Sequence, residues 1–456
     1  MKQHATIIFL FIVSLILSGC GLLAPPLAPT IAPEQQPVAV VTLDNPQEVS
    51  AESFQSTIEA VGAFIEPSRD PDTVALMNNA SSQQLIAYVQ ALQDFGTRNS
   101  FSETQREDFG VGAARRWIFS EFERVGNGRL EVRFEDFPFT FESSFPTTQR
   151  NVIATLPGVS DHPGIIVIGA HYDSRLVSAT DGTSIAPAAN DNASGIAMLL
   201  ELARLMSSRT WNQTIVFVAF AAEEQKTAGS RYFVQNGLIN GMQIDHAISA
   251  DTVGGRVGIP QSLRLFAERI SVSPSGETAR YIQYLNQLYM PEFPLTVINS
   301  LDREGRYGDQ REFVNAGIGA IRLTESIENP DLLNCVCDTW EKIDYEYLRK
   351  VVQVNVVTLS NWAGAPKPPP APSIAPMAEE GSYLVTWNKD LQASGYAVSF
   401  RPLGSLTLPE LRYVTSAEAG NTIFSNLDPT GTYAVSIAPI SASGRLGGFS
   451  EEIIIP

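Results

Sequence analysis

Two stretches of this chain are apolar almost throughout, without the alternation that a sheet with one wet face would impose. They are Ile165-Ile166-Val167-Ile168-Gly169-Ala170 and Thr214-Ile215-Val216-Phe217-Val218-Ala219-Phe220. Strands of this kind are buried on both faces. Between them, Ile196 to Met206 carries its apolar residues at helical spacing and is expected to cover the sheet. Strand, helix, strand in that order implies a right-handed parallel crossover. The predicted fold class is therefore α/β, with a central mixed, mostly parallel sheet flanked by helices. Any chemistry is expected at the carboxyl edge of those strands.

The same reading extends the sheet with strands at Ala247 to Ala250, Leu263 to Phe266 and Ala320 to Leu323, and with edge strands at Leu130 to Glu135 and Asn151 to Leu156. Helices are expected at Ser82 to Leu92, Gly112 to Glu123, Ala228 to Asn236, Thr278 to Tyr289 and Tyr345 to Trp362. Together they make one large domain over residues 50–362. Two proline-rich joints bracket it. Leu22 to Val38 is dominated by Pro and Ala, and Ala363 to Pro376 holds Pro366, Pro368, Pro369, Pro370, Pro372 and Pro376. Such composition favours an extended spacer over a packed core. Residues 20–49 are read as a tether and residues 363–376 as a linker.

The N-terminus adds a destination. Met1-Lys2-Gln3-His4 precedes an apolar stretch from Ala5 to Leu17, short for a membrane span and suited to a signal-peptide core. It closes on Leu17-Ser18-Gly19-Cys20. Residues 1–19 are read as an export signal. The net charge of -18 argues against nucleic acid or anionic lipid as a partner. Apart from Cys20 the chain has only Cys335 and Cys337, so it is no disulfide scaffold.

Four short strings sit where apolar runs end: His171-Tyr172-Asp173-Ser174, Asn190-Asp191-Asn192-Ala193-Ser194-Gly195, Glu223-Glu224 and Ala250-Asp251-Thr252. A zinc hydrolase needs a few nitrogen or oxygen ligands, an open position for water, and a base beside that water. His171 is the histidine placed to be a ligand, because His4 lies in the signal, His162 in a polar turn, and His246 opens a strand. Asp173 is positioned to hold His171 from behind. Asp191 lies in a turn before a helix, where Gly195 permits close backbone approach, and is suited to bridging two ions. Glu223 and Glu224 end the strongest apolar strand; one can bind metal while the other reaches water as general base. Asp251 repeats the pattern one strand on.

At these residues the chain resembles the co-catalytic zinc exopeptidases of the bacterial leucyl aminopeptidase type, a family that also holds glutamate carboxypeptidase and glutaminyl cyclase relatives. The resemblance runs from about Phe95 to Trp362. It implies that His171 and Asp251 hold one zinc, Asp191 bridges both ions, Glu224 holds the second, Glu223 activates the water, and Asp173 orients His171. It also implies peptide substrates. The string Leu17 to Cys20 resembles the lipobox of bacterial lipoproteins, implying acylation of Cys20 and contact with the membrane through that anchor only.

Two departures remove histidines. Where the family has its last ligand, four residues before an Asp-Thr pair, this chain has Asn334 ahead of Cys335-Val336-Cys337-Asp338-Thr339. A Ser-Asp-His-like segment appears as Gly308-Asp309-Gln310. The second position must then take Asn334, a cysteine or water as its remaining ligand. An amide oxygen suits harder ions than zinc, so the expectation is one or two ions, the second weaker or of another kind. Cys335 and Cys337 are read as bonded, as a thiolate source, or as free.

Past the second joint, Ser382 to Trp387, Gly395 to Phe400 and Thr432 to Ala438 alternate with period two, the pattern of a small all-β sandwich. The early Trp387 and the turn from Leu427 to Tyr433 resemble a fibronectin type III domain over residues 377–456, with spacing or adhesion as its work. The sequence therefore predicts a surface-anchored zinc aminopeptidase. Its rival is a peptidase-like binding or adhesive lipoprotein whose catalytic centre has decayed. Glutaminyl cyclisation is disfavoured, since the zinc of those relatives uses the histidine this chain lacks.

Overall fold

The computed structural model describes residues 66–142, 144–161 and 164–456. The export signal, Cys20, the tether and His162 lie outside them. The described residues fall in one compact unit.

The chain enters through α1 (Pro71–Asn78), α2 (Ser82–Asp94) and α3 (Gly110–Gly126), then forms β1 (Glu131–Phe139), β2 (Thr147–Leu156) and β3 (Ile165–His171). Helix α4 (Ser194–Met206) leads to β4 (Thr214–Phe220), α5 (Ala228–Ile239), β5 (Ile244–Ala250) and β6 (Leu263–Ala267). Then follow α6 (Pro274–Tyr289), β7 (Leu295–Asn299), α7 (Gln310–Asn315), β8 (Gly319–Glu325) and α8 (Tyr345–Gly364). The strands make an eight-stranded sheet in the order β1-β2-β4-β3-β5-β8-β6-β7. The pairs β3/β4, β3/β5, β5/β8 and β6/β7 are parallel, and β1/β2, β2/β4 and β6/β8 antiparallel. The predicted crossover from β3 through α4 to β4 is present.

The unalternating strands are buried on both faces, as their composition requires. Ile166, Ile168, Ala170, Ile215, Phe217 and Ala219 face the larger core under α4 and α8. Their neighbours Val167, Val216, Val218 and Phe220 meet Phe233 of α5 and Phe313 of α7 on the other side. One expectation is corrected. The strand containing Asn151 to Leu156 is not an edge: β2 lies between β1 and β4. Its asparagine is the polar exception, with Asn151 Nδ2 donating to Glu135 Oε2 at 2.9 Å and Oδ1 accepting from the Ala221 N–H at 3.0 Å.

The C-terminal strands form two antiparallel sheets, β13-β10-β9 and β12-β11-β14-β15, where β9 is Ser373–Pro376, β10 Tyr383–Thr386, β11 Gly395–Pro402, β12 Arg412–Thr415, β13 Asn421–Phe424, β14 Tyr433–Ile440 and β15 Ile453–Ile455. The proline joint is shorter than its composition suggests, because α8 runs to Gly364 and β9 begins at Ser373. Nor does it space two separate bodies. Arg445 pairs with Asp70 at 2.8 Å, Tyr281 donates to the Leu446 carbonyl at 2.6 Å, and Leu446 N–H donates to Asn361 Oδ1 at 3.0 Å. Arg401 Nη2 donates to the Ser271 carbonyl at 3.0 Å.

Candidate metal centre and active site

The sheet delivers the site from three strand ends. His171 is the last residue of β3, Glu223 and Glu224 follow β4, and Asp251 follows β5. Asp191 comes from the turn Ala189–Ala193 that enters α4. That turn lies tight against the sheet: a Cβ on Gly195 would sit 2.5 Å from Asn192 Oδ1 and 2.9 Å from Ala170 Cβ. The close approach expected of Gly195 is therefore a steric requirement. Asn192 fixes the turn to β5, donating to the Ala250 carbonyl at 2.9 Å and accepting from Thr252 N–H at 3.2 Å.

His171 Nε2 lies 3.4 Å from Asp191 Oδ1 and 3.6 Å from Asp251 Oδ1. One ligand atom from each of these three residues lies within 4.8 Å of the others. One nitrogen and two carboxylate oxygens with a face open to a cavity is a donor set that fits zinc and leaves a position for water. Among the described residues no second group of this kind forms. Glu224 and Asn334 line the same cavity as Asp191, but Glu224 Oε2 has the Arg175 guanidinium 3.6 Å away. Cys335 and Cys337 are bonded to one another, so neither offers a thiolate.

Asp173 lies behind His171 and performs a further task that its spacing does not suggest. Its carboxylate accepts from the backbone N–H of Glu223 at 3.0 Å and of Glu224 at 3.1 Å. His171 Nδ1 meets the Asp173 backbone carbonyl at 3.2 Å, closer than the carboxylate at 3.6 Å. One residue thus orients the imidazole through its carbonyl and the glutamate pair through its side chain.

Electrostatically the site is a well of buried acids. Burial, with Asp309, Glu224 and Asp251 opposing the pull of His171, pushes Glu223 well above the usual carboxylate range. Burial and the Asp191 charge raise Glu224 to about 8, and burial raises Asp309 to about 7. Burial would lower His171, but the carboxylates of Asp173, Asp191 and Asp251 hold its proton and raise it well above its ordinary value. Asp251 goes the other way: burial opposes ionisation, yet Arg322 and His171 keep it well below. A divalent cation relieves such crowding.

The roles of Asp338 and Arg322 escaped the sequence reading. Asp338 receives the N–H groups of Asn190 at 2.9 Å and Asp191 at 3.0 Å and so holds the Asp191 turn. Arg322, fully buried on β8, places Nη2 2.9 Å from Asp251 Oδ2 and Nη1 2.5 Å from Asp302 Oδ1. Its signal was an arginine inside an otherwise apolar strand, which must find partners. Asp309 is buried near Glu223, while Gln310 turns its amide to Leu301 and Asp302. Arg98 serves the fold, donating to the carbonyls of Leu92, Tyr172, Pro187 and Ala188. His246 is no ligand; it stacks on Trp362 with ring centres 4.3 Å apart. Around the site Ala188, Ala222, Lys226, Thr227, Thr252 and Asn334 all hold left-handed backbone, a concentration of strain typical of functional loops.

Two cavities meet at Asp191 and Arg306. One is walled by Pro330, Leu332 and Leu333; the other is the charged cavity holding Glu223, Glu224 and Asp251.

The family model described as "Peptidase family M28" matches residues 151–359. A "Probable zinc metalloprotease" from Pyricularia oryzae is 31% identical over 73% of this chain and 75% of its own length. Another from Leptosphaeria maculans is 31% identical over 67% and 80%. Among solved structures, the Legionella pneumophila LapA aminopeptidase superposes with a TM-score of 0.54 at 19% identity over 65% of this chain and 75% of that one. An aminopeptidase from Aneurinibacillus sp. strain AM-1 gives 0.51 at 17% over 63% and 95%. At those identities the structural likeness speaks to the fold.

Proposed function

Because the chain belongs to peptidase family M28 and is a zinc metallopeptidase, we propose that it is an exopeptidase that removes single residues from the N-terminus of peptides. The observation that carries this is the three-residue donor set beside two glutamates in one cavity.

In this reading His171, Asp191 and Asp251 hold a zinc, which supplies Lewis acidity at the scissile carbonyl and lowers the pKa of water. Glu223 takes a proton from the attacking water at a carboxylate oxygen and returns it to the leaving nitrogen, so the amide becomes an acid and an amine. Asp173 keeps the Glu223 backbone from rotating by holding its N–H. The apolar cavity of Pro330, Leu332 and Leu333 accepts the side chain of the residue released. Glu224 faces the Arg175 guanidinium and Asn334 replaces a histidine, which favours one tightly held ion.

The N-terminal sequence supports export and anchoring through Cys20. The lipobox is a bacterial device, so the fungal relatives above lend that part no support.

The test is release of amino acids from a panel of aminoacyl anilides with zinc, cobalt or manganese added. Metal-dependent turnover that disappears in Glu223→Gln supports the reading. Binding of peptides without turnover under any metal overturns it in favour of a peptide-binding lipoprotein.

A further inference from the structure

The charged cavity is unusual for its cations. Arg175, Lys226, Arg303, Arg306 and Arg311 line it together with the acids of the metal site. In a chain whose net charge is -18, such a gathering needs a reason. Three of the five face carboxylates: Arg303 lies 3.1 Å from Asp302 and also pairs with Glu328, Arg311 lies 2.8 Å from Glu312, and Arg175 lies 3.6 Å from Glu224. Arg175 also donates to the Leu176 carbonyl. Among the described residues no carboxylate pairs with Arg306 or Lys226. Lys226 has the Phe141 ring 5.6 Å away, and Arg306 stands where the charged and apolar cavities meet. Two cations without counter-ions thus line the charged cavity, Arg306 where it opens into the apolar one.

We infer that the charged cavity binds a carboxylate on the substrate, held by Arg306 and Lys226. The inference rests on the exopeptidase reading for the direction of the substrate. The carboxylate is either the free C-terminus of a dipeptide or an acidic side chain on the residue after the cleaved bond. Arg306 offers a fork of N–H donors that fits carboxylate geometry, and Lys226 offers a point charge. The surface of the protein repels anions at a distance, so the cations act at contact.

The experiment measures binding, so that it does not depend on turnover. The zinc-loaded full chain carrying Glu223→Gln is titrated calorimetrically with two pairs of peptides, Leu-Leu against Leu-Leu-amide and Leu-Glu-amide against Leu-Gln-amide. The anionic member of at least one pair binds about 10-fold tighter or more, the size of one charge-assisted hydrogen bond. Which pair discriminates tells a C-terminal carboxylate from an acidic side chain. Adding Arg306→Gln and Lys226→Gln brings that ratio to about 2-fold or less, with zinc content retained. Arg306→Glu turns the preference toward Leu-Lys-amide. Equal binding within both pairs overturns the inference, as does a preference that survives both substitutions. If discrimination holds but the native chain cleaves none of these peptides, the exopeptidase reading fails and the carboxylate site stands.

Discussion

Arg322 grips Asp251 by the oxygen that does not face His171. Its Nη2 lies 2.9 Å from Asp251 Oδ2, while Oδ1 faces His171 Nε2 at 3.6 Å. The same guanidinium reaches Asp302, so one fully buried cation sets two carboxylates. Removing it takes the one fully buried cation from both carboxylates, a cost on the order of 3–5 kcal/mol. Arg322→Met is predicted to lower the melting temperature and to weaken zinc binding in a competition assay against a chromophoric chelator. Unchanged zinc affinity in a folded variant would refute a positioning role.

Glu223 lies outside the three-residue donor set, so its loss should separate chemistry from metal binding. Glu223→Gln is expected to lose about 10²–10⁴-fold in kcat, the usual share of a general base, while elemental analysis still finds zinc at the native ratio. Zinc lost along with activity would instead make Glu223 a ligand.

Only one group of three donors forms among the described residues, and it predicts a stoichiometry. After dialysis against chelator and readdition, activity should return at about one zinc per chain, with any further ion held more weakly. Two equivalents taken up with equal avidity would show that Asn334 and Glu224 complete a second position despite Arg175.

How much of this was legible beforehand follows from how local each signal is. His171, the glutamate pair and Asp251 stand directly after apolar strands, and a strand end is visible in one dimension. Asp191 was legible because Gly195 marks the turn that carries it. Asp338 and Arg306 carry no such mark: each gains its meaning from a segment far away in sequence that folds back on the strand ends. Asp173 was found beside His171, but its hold on the Glu223 and Glu224 N–H groups was not, since spacing alone does not show which backbone groups a carboxylate will meet. The short strand β7 and helices α1 and α7 were missed because five to eight residues give too little periodicity to read.

His246 supplies a pH dependence away from the site. Burial against Trp362 pulls its pKa from 6.5 to about 4, so the folded protein keeps the ring neutral where the unfolded chain would protonate it. The stability this confers is complete above pH 6.5, falls as pH drops toward 4, and changes no further below that. The loss amounts to about 3 kcal/mol across the window. His246→Phe should flatten that stretch of a plot of unfolding free energy against pH; a slope identical to the native protein would assign the acid sensitivity to other groups.

Helix α8 joins the two halves of the molecule mechanically. Its capping residue Asp344 donates its N–H to the Gly255 carbonyl on the loop that follows Asp251, and Asn361 near its far end accepts from Leu446 of the C-terminal sheets. Those 20 residues make a rod of about 30 Å. The C-terminal sheets hold this rod through Asn361 and its surroundings through Arg445 and Tyr281, so the proline joint beside it is bypassed. The C-terminal sheets and the loop after Asp251 are thus fastened to opposite ends of one helix, with no slack leash between them.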